Sequence, residues 1–457
     1  MGILISAFFA HPACAAVGDR FGYTSEAASL GGARAGASEF NSASAYENPA
    51  QLSLLPTSGT QTQFHWSMMY SKPSFADINN VVVENPVNSD KTTGDFRKAN
   101  VDTRYPSTFG QSVGISTQSK RSRYRWGIGA VFYLPLDHLA LIDSGESFVP
   151  EYTLHRGRTQ KPEFQFAFSG LISQNLSFGA GIQLGTRLAS DTTLFLNQGA
   201  GTASSMRVAA SLKTKASPYF GLTYLASPQF SLGFTGRLAS SQPQSMNVQA
   251  NARAIGTVSA LSFAFPTLST LYYDPLTLQL GSEWKYSDVS ALYFEIDYQA
   301  WSNFQSPAIV ILDPQTSSCS PACGVDFANG MNLGRKTRDI FIPRIGHSWT
   351  IGDAKLRAGY LFRQGIYAEP PSGAGNAIDP SEHQFSLGYG RGFDSILAFD
   401  APGRIDLHAS YSIYPKETVT KTDGDENGNL SNVKVGSPGY ETGGSEWGAG
   451  LTIQLFL

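Results

Sequence analysis

"SQNLSFGAGIQLGTRLA", Ser173–Ala189, reads as a tight turn running into a β-strand. Phe178, Ala180, Ile182, Leu184 and Leu188 fall on one face, with Ser177, Gly179, Gly181, Gln183, Gly185 and Arg187 on the other. Successive strand side chains point to opposite faces, so a period of two describes a strand with one apolar side and one polar side. "ALYFEIDYQAW" (291–301) repeats the pattern, setting Leu292, Phe294, Ile296 and Tyr298 against Tyr293, Glu295, Asp297 and Gln299. "RIDLHASYSIY" (404–414) sets Ile405, Leu407, Ala409, Tyr411 and Ile413 against Asp406, His408, Ser410 and Ser412. A soluble β-sandwich gives the same alternation, so composition and connection lengths have to choose between folds.

Composition favours a membrane. Charged residues are 15% of the 457, against roughly 25% in an ordinary globular chain. Aromatics make up 12% and there are 46 Gly. Yet no run approaches the ~20 apolar residues of a transmembrane helix. Apolar residues that alternate with polar ones hide from hydropathy averages, as in a transmembrane β-barrel. The net charge of -3 offers no electrostatic footprint for nucleic acid.

Fourteen strands are expected, near 61–71, 107–118, 124–135, 161–173, 176–195, 203–226, 229–250, 277–287, 290–303, 338–350, 354–364, 381–393, 404–415 and 445–457. Long connections follow the first, third, seventh, ninth, eleventh and thirteenth. Tight ones lie between, such as "SQN" (173–175), "SPQ" (227–229), "SDVS" (287–290) and "IGD" (351–353). Outer-membrane barrels have short periplasmic turns and long external loops, and an even strand count returns both termini to the periplasmic side. The link after the fifth strand is shorter than this pattern predicts, and "GRGFDSILAFDAPG" is longer. In the closing "EWGAGLTIQLFL", Trp447, Leu451, Ile453, Leu455 and Leu457 share a face; Phe456 is penultimate, where such barrels usually end on an aromatic residue.

The N-terminus divides in two. "ILISAFFA" (3–10) and "HPACAA" (11–16) have the apolar core and small-residue cleavage site of a secretory signal, although no Lys or Arg precedes Arg20. The expected divisions are therefore a partial signal peptide at 1–16, a small-residue segment at 17–56 and a barrel at 57–457. The middle segment is rich in Gly, Ala and Ser and ends in the rigid corner "YENPAQLSLLP", Tyr46–Pro56. A barrel of about fourteen strands is too wide for its own side chains to fill, leaving an aqueous pore or a plugged one. Small residues let a backbone lie close against an enclosing wall, so the segment is expected inside the bore.

"GYTSEAASLGGARAGASEFNSASAYENPAQLSLLP" (22–56), with Asn48-Pro49-Ala50 at its end, resembles the hatch of the FadL family of outer-membrane transporters of long-chain fatty acids and other hydrophobic compounds. "WGIGAVFYLPL" (126–136) is similar to that family's third strand, and "YQAWSNF" (298–304) to the Trp-Ser-x-Phe that ends its ninth. The resemblance covers nearly the whole chain. It implies an all-β, fourteen-stranded transmembrane barrel with an N-terminal hatch, monomeric, in the outer membrane of a Gram-negative bacterium. Lipid and lipopolysaccharide would surround it. Ligand would be captured at the outer face and released, sideways or into the periplasm, when the hatch rearranges. No cofactor is implied.

An acyl chain needs apolar surface, at ~0.8 kcal/mol per buried methylene, and a cation for its carboxylate. Arg187, Arg237, Arg344, Arg357 and Arg363 are phased toward the lumen. Each is either a ligand residue or a structural tie to Glu295, Asp297 or Asp406; Arg187 is the strongest ligand candidate, near a stretch where the resembled family carries a ligand-side Arg. Gly127 and Gly129 face inward on the third strand, with Tyr133 and Pro135 following. Inward glycines and a strand proline permit a bulge and a lateral gap, or close packing of the hatch. Pro343 in "IFIPRIG" is expected to disrupt its ladder. Ligand candidates are therefore Asn48, Pro49, Gly127, Gly129, Tyr133, Arg187 and Arg344.

Other motifs are weaker. Cys319 and Cys323 in "SSCSPACG" suit a small loop disulfide, with a metal site as the rival. "DGDENGNLSNVK" (423–434) places Asp423, Asp425 and Asn427 like the first half of a calcium loop, but Lys434 stands where a bidentate Glu belongs. "GQSVG" (110–114) matches a hydrolase elbow without the helix that elbow needs. The function read from the sequence is uptake of hydrophobic molecules, long-chain fatty acids first, with aromatic hydrocarbons or general diffusion as alternatives and no enzymatic activity.

Overall fold

The computed structural model describes residues 22–55, 61–84, 97–119, 125–139, 149–155, 161–198, 205–252, 261–304, 310–311, 315–316, 336–369, 376–395, 400–421 and 435–457. The proposed signal peptide, Cys319, Cys323, Asp423, Asp425 and Asn427 lie outside them.

Fourteen antiparallel strands close into a barrel. They are β1 (Thr62–Phe75), β2 (Thr108–Gln118), β3 (Trp126–Pro135), β4 (Glu163–Leu171), β5 (Leu176–Gln198), β6 (Ser205–Leu225) and β7 (Phe230–Arg237). There follow β8 (Thr277–Ser287), β9 (Ser290–Gln299), β10 (Ile340–Ile351), β11 (Ala354–Arg363), β12 (Glu382–Phe393), β13 (Gly403–Thr420) and β14 (Gly439–Phe456). β14 closes on β1, from Gln63 opposite Phe456 to Phe75 opposite Gly444. Connections alternate between the two ends as expected, and both termini of the barrel sit at the short-turn end.

The alternation has its expected meaning. Phe294 and Ile296 are exposed on the outside, while Glu295 and Asp297 are buried within. Phe168, Phe178, Phe385, Leu387 and Leu407 extend the outer apolar surface around the wall. Such a band is what lipid tails require of a barrel. Among the described residues no helix is long and apolar enough to cross a membrane.

Two expectations change, and two irregularities noted in the sequence find their cause. The single strand expected over 229–250 is two: β7 stops at Arg237, and Ser240–Ala252 leaves the wall to pair with Leu261–Asp274, a strand missed in the sequence. Strand-compatible residues occupy the break at Leu238–Ala239, so periodicity runs through it. The short link after β5 is explained by length: β5 runs past the end of β4, whose last partner is Gly185, and continues paired with β6 to Phe195 opposite Ser205. A projecting hairpin replaces the loop there. The ninth strand ends at Gln299, and Trp301–Asn303 forms a 3-10 turn. Pro343 leaves the β9 ladder in register, opposite Ile296, but the β11 ladder begins only at Arg344. The proline, which has no N–H to give, stands where that pairing stops.

Candidate functional site

The bore is occupied. Residues 22–54 are almost entirely buried and bond to inward side chains around the barrel. They form α1 (Ser25–Ser29), α2 (Ser44–Glu47) and a 3-10 turn over Pro49–Ser53. The Thr24 side chain accepts from Ala27 N at the start of α1 (3.2 Å), and that of Asn48 accepts from Ala50 N at the start of the 3-10 turn (3.0 Å). So little regular structure leaves many backbone groups without local partners, and buried backbone groups must be paired.

The wall supplies those partners, differently on its two sides. On β2, β4, β5, β6 and β7, hydroxyls donate to segment carbonyls. Ser112 donates to Tyr23 O (2.6 Å), Ser177 to Ala50 O (2.6 Å), Tyr219 to Ala45 O (2.5 Å) and Ser231 to Gly36 O (2.7 Å). On β8 and β9, carboxylates accept from segment N–H groups: Ala35 N donates to Glu295 (2.8 Å) and Ser38 N to Glu283 (2.8 Å). Between these bonds, wall glycines let backbone touch backbone. A Cβ at Gly127 would lie 1.9 Å from Leu52 O, at Gly233 1.8 Å from Ala35 O, and at Gly359 2.3 Å from Gly31 N.

Buried charge binds the segment to β10–β13. Arg344 donates to Asp297 (2.8 Å) and to the Gly31 carbonyl (2.7 Å). Arg357 pairs with Asp406 (2.8 Å) and lies 3.4 Å from Glu26. Arg404 joins Glu26 and Asp406, and Arg34 pairs with Glu47 (3.2 Å) and Glu26 (3.8 Å). Burial alone would raise the Glu26 pKa; Arg404, Arg357 and Arg34 outweigh it and hold the carboxyl well below its ordinary range.

The candidate residues sort accordingly. Asn48 donates to Ala35 O (2.8 Å) and, across to β6, to Leu222 O (3.1 Å) and Thr223 Oγ1 (3.2 Å). Pro49 packs on the wall at Gly179. Gly127 and Gly129 face Leu52 and Ala45 of the segment, and the β3 ladders to β2 and β4 run without a register shift, so here these glycines give close packing and no lateral gap. Tyr133 is fully buried, its ring over Gly110, in an aromatic cluster with Tyr23, Tyr46 and Tyr219. Its hydroxyl has no hydrogen-bond partner among the described residues. Arg344, like Arg237 and Arg357, is a tie; Arg363 pairs with Asp379 at the long-loop end (2.9 Å). Arg187 is the register partner of Lys213 on the projecting hairpin, and its side chain lies outside the described residues. Ser112 of the hydrolase-like pentapeptide is a wall donor on a strand that continues to Gln118.

Sequence reasoning missed a polar relay at the outer end of the bore. Lys161, only 2% exposed, pairs with Asp274 (2.7 Å) and Glu163 (3.1 Å), and Tyr23 donates to Glu163 (2.8 Å). Beyond it lie two apolar clusters. Phe75 stacks on Tyr152 (3.9 Å between ring centroids) beside Tyr105 and Tyr414; Trp301 stacks on Tyr273 (5.3 Å) beside Ile340, Ile342 and Tyr367.

No family model and no curated relative matches the chain. Solved structures do. A FadL homologue of Pseudomonas aeruginosa aligns with a TM-score of 0.59 at 13% identity, over 94% of this chain and 98% of its own. The toluene transporter TodX of P. putida aligns at 0.51 and 14%, over 96% and 99%. The toluene transporter TbuX of Ralstonia pickettii aligns at 0.51 and 12%, again over 96% and 99%. The chain therefore has the FadL-type fold along nearly its whole length.

Proposed function

We propose that this chain is a passive uptake channel for hydrophobic molecules in the outer membrane of a Gram-negative bacterium, with residues 17–56 as a hatch in a barrel of residues 57–457. The observation that carries the reading is the occupied bore. A general diffusion pore needs water along its axis, whereas this axis holds a segment bonded on every side, with apolar clusters Phe75/Tyr152 and Tyr273/Trp301 at the long-loop end. Such clusters collect apolar solutes from water. Nothing in this arrangement calls for a covalent step.

Long-chain fatty acids are the first ligand class. Arg187 and Lys213, two cationic residues at partnered positions on the projecting hairpin, suit an acyl carboxylate. The aromatic content of both outer clusters supports aromatic hydrocarbons as the second class. Cells without their own long-chain uptake channel, expressing this chain, are expected to accumulate labelled hexadecanoate, and Arg187→Ala to reduce that uptake while sparing toluene. Accumulation of neither compound ends the proposal. Deleting residues 17–46 is expected to raise single-channel conductance in a planar bilayer; an unchanged conductance removes the hatch.

A further inference from the structure

The seam between β10 and β11 is incomplete. Register pairing runs from Ile351 opposite Ala354 to Arg344 opposite Leu361 and stops at Pro343, which has no N–H to give. It resumes only as an isolated bridge, Thr337 opposite Tyr367, with Arg338 N donating to Ile366 O (2.8 Å). No register pair links Asp339–Pro343 to Phe362–Gly365. The flanking seams run on past this stretch, β9–β10 to Gln299 opposite Ile340 and β11–β12 to Arg363 opposite Glu382. Each lip is tied away from the other instead. Asp339 accepts from Tyr298 of β9 (2.6 Å) and from Ser302 N (2.8 Å). Just ahead of β12, Asp379 holds Arg363 (2.9 Å) and Ile366 N (2.9 Å), and Ser381 accepts from Gly365 N (3.3 Å).

The slit has an apolar face on each side. Behind it lie Ile340, Ile342, Leu361 and Ile366, all buried in the Tyr273/Trp301 cluster. In front, Phe341 on one lip is 52% exposed, and Phe362 on the other packs beside His383 (4.9 Å between ring centroids). At ~3.3 Å per residue and a strand tilt of ~40°, Pro343 stands roughly 20 Å above Ile351 at the short-turn end, near the top of an apolar band ~25 Å tall. The slit therefore opens at the level of the outer leaflet. Release there would return a molecule to the side it came from, so entry is the direction that serves uptake. Resting on the uptake reading above, we propose that this slit is a second entrance, through which uncharged apolar molecules dissolved in the outer leaflet reach the Tyr273/Trp301 cluster without passing the loops. Parting a paired seam inside lipid strands backbone groups that nothing else can satisfy, and here those pairs are already absent. A carboxylate would have to shed its water between apolar lips, with Arg363 already bound to Asp379.

In the test, vesicles holding the full chain are loaded with a phenyl diazirine, washed and irradiated, and labelled peptides are located by mass spectrometry. Labelling is expected on the buried Tyr273 and Trp301 peptides as well as on the lipid-facing wall. In a Cys14→Ser, Cys319→Ser, Cys323→Ser background, Phe341→Cys and Phe362→Cys are bridged across the slit by a short thiol-reactive crosslinker. Bridging is expected to lower labelling at Tyr273 and Trp301 about tenfold, reversibly with reductant, and to leave the lipid-facing wall unchanged. The same bridge between Phe294→Cys and Ile345→Cys, partners in the unbroken β9–β10 seam, should change neither. Pro343→Val, which returns an N–H to the seam, should also lower the inner labelling. The slower migration of the unheated barrel in gels confirms that each variant is folded. Inner labelling that survives the bridge, or falls equally with the β9–β10 bridge, overturns the entrance, while toluene uptake by cells leaves the uptake reading standing. An equal fall in inner labelling by a hexadecanoate diazirine overturns the restriction to uncharged molecules. No inner labelling of the unbridged protein overturns the entrance, and if cells accumulate neither compound the uptake reading falls with it.

Discussion

Asn48 of the segment sits directly over Gly221 of β6, where a Cβ would lie 2.1 Å from its Oδ1. From that position its amide donates to Leu222 O and to Ala35 O at once, tying wall and segment together through one side chain. Asn48→Ala strands buried carbonyls and removes the cap of the following 3-10 turn. An unsatisfied buried group costs about 1–3 kcal/mol, so the expected result is a lower unfolding temperature and a higher open-channel conductance. Gly221→Val, which leaves Asn48 in place but pushes it off the wall, is expected to have the same phenotype. Unchanged conductance in both variants would show that this contact does not hold the segment.

Arg344, open in the sequence as ligand residue or structural tie, is bound to Asp297 and to the Gly31 carbonyl. Its removal leaves Asp297 and Glu295 buried without their cation, and breaking a buried pair from one side costs about 3–5 kcal/mol. Arg344→Met is expected to destabilise the barrel by about that amount, measured by thermal unfolding in detergent. Arg344→Met with Asp297→Asn should recover much of the loss. Hexadecanoate and toluene uptake should fall in proportion; selective loss of hexadecanoate uptake would restore the ligand role.

Glu26 gives the attachment of the segment an acid limit. Its folded pKa is depressed below the ordinary 4.5 because Arg404, Arg357 and Arg34 outweigh burial. A carboxylate with a depressed folded pKa contributes stability that is present above its unfolded value and lost as pH falls through the folded one. Conductance should therefore stay low from neutral pH down past 4.5 and rise only in stronger acid. Glu26→Gln is expected to be leakier at pH 7 and to lose most of that acid-dependent rise. A rise already under way at pH 5 in the unaltered protein would contradict the assignment.

How much of this was legible follows from what each residue signals alone. Glu295 and Asp297 alternate with Phe294 and Ile296, so their inward direction was readable from period two, and so was the strand count. The partner of an inward charge was not. Arg344 faces both Asp297 and the Gly31 carbonyl, and choosing tie over ligand needs the path of the segment through the bore. The Lys161–Glu163–Tyr23 relay joins Tyr23 to Glu163 across 140 residues of chain, and none of the three carries a motif. The break at Leu238–Ala239 was invisible for the opposite reason: both sides are good strand.

The wall glycines make the sharpest comparison, because the same substitution should have different outcomes at an inward position, Gly233, and at Gly170, in phase with the outward Phe166 and Phe168 of β4. At Gly233 a Cβ would fall 1.8 Å from Ala35 O, and backbone on both sides leaves nothing flexible to yield. At Gly170 it would meet nothing within 4 Å. Gly170→Ala is expected to leave folding, conductance and uptake unchanged, within the ±0.5 kcal/mol usual for a surface change. Gly233→Ala must push the segment away from β7, lowering stability by about 1–3 kcal/mol as overpacking does and opening a leak beside Ala35. Adding a deletion of residues 17–46 to Gly233→Ala removes the obstacle, so the alanine should then cost nothing further. If it is as harmful without the segment as with it, the glycine serves the strand and not the packing of the bore.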